Sequence, residues 1–130
     1  MKKHIEYDCI FKNGSAVLPT GIHKVDIGIK DGLIQQIGNL SDYSTDCRAD
    51  SVIDCKGLHI LPGVIDSQVH FREPGLENKE NLESGMKAAA AGGVTCVFEM
   101  PNTNPLTITP ETIADKLKRA SRVAWTDYAF

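Results

Sequence analysis

The residues best suited to chemistry lie in one short run, Asp66-Ser67-Gln68-Val69-His70-Phe71-Arg72-Glu73-Pro74-Gly75. His70 offers an imidazole, which can bind a metal or move a proton. Arg72 offers a planar fork of donors that fits a carboxylate. Gln68 adds a neutral amide oxygen. In a strand, residues two apart point to the same face. Gln68 and His70 therefore share a face, and Arg72 joins them if the strand persists. Val69 and Phe71 point the other way. A histidine, an arginine and an amide at the carboxyl end of a parallel strand stand where barrel enzymes place their catalytic groups. A lone histidine beside a strand end is more often structural, so the run needs support from its surroundings.

Those surroundings alternate in the right way. Leu58-His59-Ile60-Leu61-Pro62-Gly63 leads into a strand of buried type from Val64 to Phe71. Asn81 to Ala91 is alanine-rich and carries Leu82 and Met86 at helical spacing. Gly92-Gly93 stands where a helix C-cap prefers glycine. Val94 to Met100 is a second strand, and Pro101 to Ile108 a loop. Thr109-Pro110-Glu111 supplies an N-cap, a proline at the first helical position and an acidic first turn. Ile113, Ala114, Leu117 and Ala120 keep helical spacing, and Val123 to Phe130 begins a third strand. The order β-α-β-α-β implies parallel strands with right-handed crossovers.

The first third is different. Ile5 to Phe11 predicts a strand turning at Asn13-Gly14. Val25 to Lys30 and Leu33 to Gly38 flank Asp31-Gly32, a strong two-residue hairpin signal. Val52 to Cys55 is a further short strand, and Leu40 to Ser51 reads as an exposed polar loop. The chain thus divides into a β-sandwich segment, residues 1–57, and the first β/α units, residues 58–130.

Composition narrows the class. With 42% hydrophobic and 24% charged residues in 130, the chain suits an ordinary soluble domain. A net charge of −3 without a basic stripe argues against a nucleic-acid partner. No apolar run is long enough for a signal peptide or a membrane span, so the expected location is cytoplasmic and no membrane partner is expected. Cys9, Cys47, Cys55 and Cys96 form no metal-ligand spacing and read as reduced thiols. His4, His23, His59 and Asn104 read as non-functional. Lys116-Leu117-Lys118-Arg119 reads as the solvated face of a helix, and Glu99 as a residue beside the site strands.

Residues Gly63 to Gly75 closely resemble the first signature of dihydroorotases, and Met100-Pro101-Asn102-Thr103-Asn104-Pro105 resembles the second. Lys79-Glu80 and Gly85 to Gly93 are similar as well. The resemblance implies the amino-terminal part of a metal-dependent amidohydrolase: a small β-sandwich segment, then the first units of a (β/α)₈ barrel. It implies reversible interconversion of N-carbamoyl-L-aspartate and dihydroorotate, in pyrimidine biosynthesis. Zinc, one ion or two, would lower the pKa of a bound water and polarise the ring amide. By the same resemblance His70 is a metal ligand, and Arg72 and Asn102 hold the substrate carboxylate. Asp66 takes a supporting place before them.

Two departures stand out. The first histidine of the family's His-x-His pair is Gln68 here, and a neutral amide oxygen is a weaker zinc ligand than imidazole. A full barrel needs about 250 residues, and no histidine follows His70. The chain therefore holds no expected catalytic base, and alone it is expected to be inactive and poorly stable. Its partners are a small-molecule substrate and either a further copy of itself or a missing carboxy-terminal portion. The alternative from another class is a non-catalytic, degenerate remnant or partner subunit. A hydantoinase or dihydropyrimidinase is less favoured, because those enzymes do not usually carry Phe-Arg-Glu-Pro-Gly.

Overall fold

The computed structural model describes residues 5–40 and 47–130. They form two compact units, Met1–Pro62 and Gly63–Phe130. The division falls five residues beyond the expected one. The cause is a short strand, His59–Ile60, that pairs in parallel with Ser15 and Ala16 of the first unit.

In the first unit, β1 (Ile5–Lys12), β2 (Ser15–Leu18), β3 (Gly21–Lys24), β4 (Asp26–Lys30), β5 (Leu33–Gly38), β6 (Cys47–Asp54) and β7 (His59–Ile60) make two sheets. Their orders are β5-β4-β1-β6 and β3-β2-β7. Asp31 and Gly32 both have positive φ, 52° and 74°, as the β4–β5 hairpin requires. Asn13 also has positive φ, 61°, but its turn passes the chain from one sheet to the other rather than closing a hairpin. The Asp26 carboxylate accepts from the Asn13 and Leu40 amides and fixes both ends of this region.

Two expectations change here. Residues 47–51 belong to β6, which pairs in parallel with β1 along its length, so they are not loop. Leu40 is fully buried and packs with Tyr7 and Ile10. Residues 41–46 lie outside the described residues. The β2–β3 hairpin around Pro19-Thr20 carries too few alternating residues to stand out in the sequence.

In the second unit, β8 (Val64–Val69), α1 (Leu82–Ala91), β9 (Val94–Glu99), α2 (Pro110–Val123) and β10 (Asp127–Ala129) follow the expected alternation. The sheet is parallel, with β9 between β8 and β10. Asn81 and Thr109 each close a capping box, with Ser84 and Thr112 as the reciprocal partners. Gly92 caps α1, and Gly93 follows at φ 84°. The core is Phe71, Leu82, Met86, Val97 and Ala120. It lies on the face of the sheet that the helices cover.

The other face is open. Val64 and Ile65 of β8 and Phe98 of β9 are exposed, so β8 is not the buried strand its apolar run predicts. Three strands with helices on one side cannot enclose both faces. The buried stripe of α2 also differs from expectation. Lys116 and Ala120 are inside, while Ala114 and Leu117 face out.

Asp8 ties the β4–β5 hairpin to β1. Its carboxylate accepts from Lys30 Nζ at 2.8 Å and from the Asp31 amide at 2.6 Å. Lys30 first, and then the Asp31 amide, hold the Asp8 carboxyl below the ordinary carboxylate range. The folded state thus releases this proton more readily than the unfolded chain. Its stabilisation is present above about pH 4 and is lost as pH falls through the lowered value. Below about pH 4 the thermal midpoint should fall more steeply in the native protein than in Asp8→Asn. Equal slopes in calorimetry would remove Asp8 from the acid response.

Candidate active site

The site begins where β8 loses its regular ladder. Pairing with β9 is irregular between Asp66 and Val69. There the Gln68 amide donates to Asp66 Oδ1 at 3.0 Å. Asp66 therefore shapes the backbone at Gln68, whose side chain is exposed on the last turn of the strand. The strand ends at Val69, one residue before His70. The expected continuation of one strand face to Arg72 does not occur.

Instead the chain breaks into a loop. Arg72 has φ 66°, a left-handed conformation uncommon for a residue with a side chain. Such conformations persist only where neighbours determine them, and they cluster at functional sites. Arg72 is half-buried, and among the described residues its guanidinium has no hydrogen-bond or ion-pair partner.

A second loop, residues 100–108, locks onto the first. The Met100 amide donates to the Val69 carbonyl at 3.0 Å, and the Asn104 amide to the Pro74 carbonyl at 2.9 Å. Gly75, at φ 89°, sits so close to Asn104 that a Cβ would overlap the Asn104 carbonyl. Asn104 thus contributes through its backbone. The second loop is also knit internally: the Thr103 and Thr107 hydroxyls lie 2.7 Å apart, both residues being buried.

This lock brings His70 to Asn102. His70 Nδ1 and Asn102 Oδ1 are 2.8 Å apart. An amide oxygen can only accept, so with this orientation of the amide His70 Nδ1 carries the proton and donates. The Nε2 lone pair is then free, as a metal-binding histidine requires. Asn102, expected as a contact for substrate, is seen here orienting the imidazole.

Carboxylates behind the loop complete the arrangement. Glu99 Oε1 accepts from the buried Phe71 amide at 3.1 Å. Glu99 Oε2 lies 2.7 Å from Lys116 Nζ, and both side chains are fully buried. Burial pushes the Glu99 carboxyl up, against the opposing pull of Lys116. Glu73 Oε2 accepts from the Leu82 amide at 2.9 Å, at the start of α1, and Glu73 Oε1 is 3.5 Å from Arg119. The expected solvated run is therefore split: Lys116 is buried, Arg119 stays partly exposed while reaching Glu73, and Lys118 faces water. Two sequence signals could have shown this. Glu99 shares strand parity with the buried Val97, and Lys116 lies between Ile113 and Ala120 on one helix stripe.

The donor set bears on a metal. His70 fits a divalent ion well and Gln68 weakly, and these two would be the residues of this chain to hold one. Among the described residues, no group of three histidine, cysteine, aspartate or glutamate side chains could close around an ion. Cys9, Cys55 and Cys96 are free thiols. No described helix is long and apolar enough to cross a membrane.

The fold and the site together define the amino-terminal portion of an amidohydrolase, with a β-rich segment leading into β/α units. Residues 57–129 match the Dihydro-orotase-like family, and the chain belongs to that family. It is 40% identical over 124 residues to an allantoinase of Bacillus velezensis, covering 95% of this chain and 26% of the relative. It is 43% identical over 124 residues to a dihydroorotase of Bacillus subtilis, covering 92% and 28%. The L-hydantoinase (dihydropyrimidinase) of Arthrobacter aurescens superimposes with a TM-score of 0.85 at 35% identity, over 95% of this chain and 27% of that one. The chain therefore spans about a quarter of the length of these relatives. They are cyclic-amide hydrolases, of a metal-dependent superfamily in which zinc is typical.

The lock between the loops is sensitive to one atom. Gly75→Ala adds a Cβ at a left-handed position against the Asn104 carbonyl. The expected loss is about 2 kcal/mol or more of unfolding free energy. Urea denaturation checks this; a loss below about 0.5 kcal/mol, the usual range for surface changes, would mean the loops do not hold each other.

Proposed function

We propose that this chain is the amino-terminal part of a dihydroorotase, and that it supplies the carboxylate-binding end of the site. The supporting observation is Arg72. A half-buried guanidinium, held in a left-handed loop with no partner among the described residues, is suited to an anion from outside. Dihydroorotate and carbamoyl aspartate carry a carboxylate, whereas allantoin and simple hydantoins do not. This chemistry favours dihydroorotase over the equally similar allantoinase. The substrate carboxylate would meet the Arg72 fork and the Asn102 amide. The ring amide would then extend toward His70.

When bound, zinc would activate water and polarise the scissile carbonyl. His70 would hold it through Nε2, with Asn102 fixing the ring, and Gln68 would contribute an oxygen. The remaining ligands and the catalytic base would come from further β/α units of a (β/α)₈ barrel. The active partner is thus the substrate together with those units. The second reading, a remnant or partner subunit without turnover, draws support from Gln68 in place of an imidazole.

Two measurements on the protein assembled with its remaining barrel test these roles. Arg72→Ala should raise KM for dihydroorotate by roughly 10- to 150-fold, the effect of losing a charge-assisted bond of about 1.5–3 kcal/mol. Zinc content should stay unchanged. Native KM in the variant would rule out the anchor. For the metal, Asn102→Ala should weaken zinc retention on dialysis about 10- to 100-fold, as loss of an orienting partner does. Gln68→His should strengthen it. Elemental analysis showing no change in either would take His70 and Gln68 out of the metal site.

A further inference from the structure

We propose that Glu99 and Lys116, together with Glu73 and Arg119, are positioning residues that impose the conformation of the Arg72 loop from helix α2. The inference deepens the carboxylate-anchor reading and rests on it for the ligand alone.

The geometry is a pair of clamps. Lys116 and Arg119 are three residues apart, on adjacent positions of one helix face. Each meets a carboxylate: Lys116 meets Glu99 at 2.7 Å, and Arg119 meets Glu73 at 3.5 Å. Each carboxylate in turn accepts a backbone amide. Glu99 takes Phe71, immediately before Arg72, and Glu73, immediately after Arg72, takes Leu82. Arg72 is thus the one residue between two tethered neighbours, and it is the one with φ 66°.

The two clamps are not equal. Arg119 is partly exposed and shares its charge with Asp115 at 2.7 Å, so its grip on Glu73 is weak. The Glu99–Lys116 pair is wholly buried, and beyond Glu99 the ammonium faces the Phe130 ring at 5.0 Å. A buried ion pair is seldom the most stable filling for its volume; apolar side chains of similar size often do as well or better. What they cannot do is accept the Phe71 amide. What the pair supplies beyond filling its volume is the acceptor for Phe71, and with it the conformation at residues 70–72. Lys116 compensates the charge, and Glu99 carries the contact to the loop.

The test separates the acceptor from the charge. In E99L/K116M the pair is replaced by apolar groups and the Phe71 amide loses its acceptor. In E99Q/K116M the charges are removed but an amide oxygen remains for Phe71. In E99K/K116E an ion pair remains, and the acceptor moves to the helix. Amide hydrogen exchange of Phe71 is measured in the protein assembled with its remaining barrel, with circular dichroism to establish folding. Binding is followed by the Arg72 Nε resonance on titration with L-dihydroorotate.

The expected result is that Phe71 protection drops about tenfold or more in E99L/K116M and E99K/K116E, the scale of one lost hydrogen bond. E99Q/K116M should recover most of it. Half-saturation by dihydroorotate should follow the same order. If E99L/K116M does not fold, E99K/K116E carries the comparison, and Glu99→Gln alone provides a second acceptor-retaining variant. Equal Phe71 protection in acceptor-retaining and acceptor-lacking variants would overturn the proposal. If the assembled wild-type protein ignores dihydroorotate while Phe71 protection follows the acceptor, the positioning role stands and the dihydroorotase reading falls.

Discussion

Where the chain leaves β8, the Phe71 amide is buried, and a buried amide without an acceptor costs about 1–3 kcal/mol. Water cannot reach it, and β8 has already ended. The acceptor must come from the neighbouring strand, and it is a carboxylate rather than a carbonyl. An uncompensated carboxylate in that place would cost several kcal/mol more. A cation must then follow, and Lys116 on the face of α2 that rests on the sheet delivers it. One unsatisfied donor thus accounts for an acid at the end of β9 and a lysine on the inner stripe of α2. It also accounts for the outward turn of Leu117: the stripe is set by Lys116, and the remaining positions take what orientation is left.

The two segments with family resemblance are a single physical object. Neither loop has regular structure to hold it. Together they exchange two backbone hydrogen bonds, share a side-chain bond between His70 and Asn102, and touch at a glycine where no larger residue fits. The spacing of the signatures along the chain is fixed by one helix and one strand, α1 and β9. Their separation in space is fixed by direct contact. The side chains with chemical potential emerge from this contact rather than from a strand face. That is why the alternation rule, which holds only as far as the strand end at Val69, does not place Arg72.

The sequence was most legible where the physics is local. The Asp31-Gly32 turn, the Thr109-Pro110 helix start and the Gly92-Gly93 stop depend on neighbours in the chain, and each forms as its residues require. The β-α-β-α-β order follows from periodicity in the same way. Legibility failed where long-range pairing decides. Residues 47–51 look polar and loop-like until β1 is set beside them. Lys116 looks solvated until Glu99 is placed opposite. At the site, residue types pointed to His70 and Arg72 and the family resemblance to Asn102, and no local rule could place the His70–Asn102 bond or the left-handed turn at Arg72. The exposed run of β8 has a different cause. Its apolar residues suit a surface that three strands and two helices leave open.

The parallel pairing of β1 with β6 carries a consequence for how the first unit forms. Ile5 meets Cys47 and Lys12 meets Asp54, so partners lie about forty residues apart in the chain. Strand β1 is flanked by β4 and β6, and the β4–β5 hairpin can close long before β6 is available. Contacts of such sequence separation raise the contact order and slow folding, because loop entropy is lost before the pairing repays it. During synthesis the central strand of the sheet must wait with one edge open while the hairpin covers the other. Glu6, Asp8 and Lys12 place charge along β1, and charged side chains on an open strand disfavour pairing with another chain.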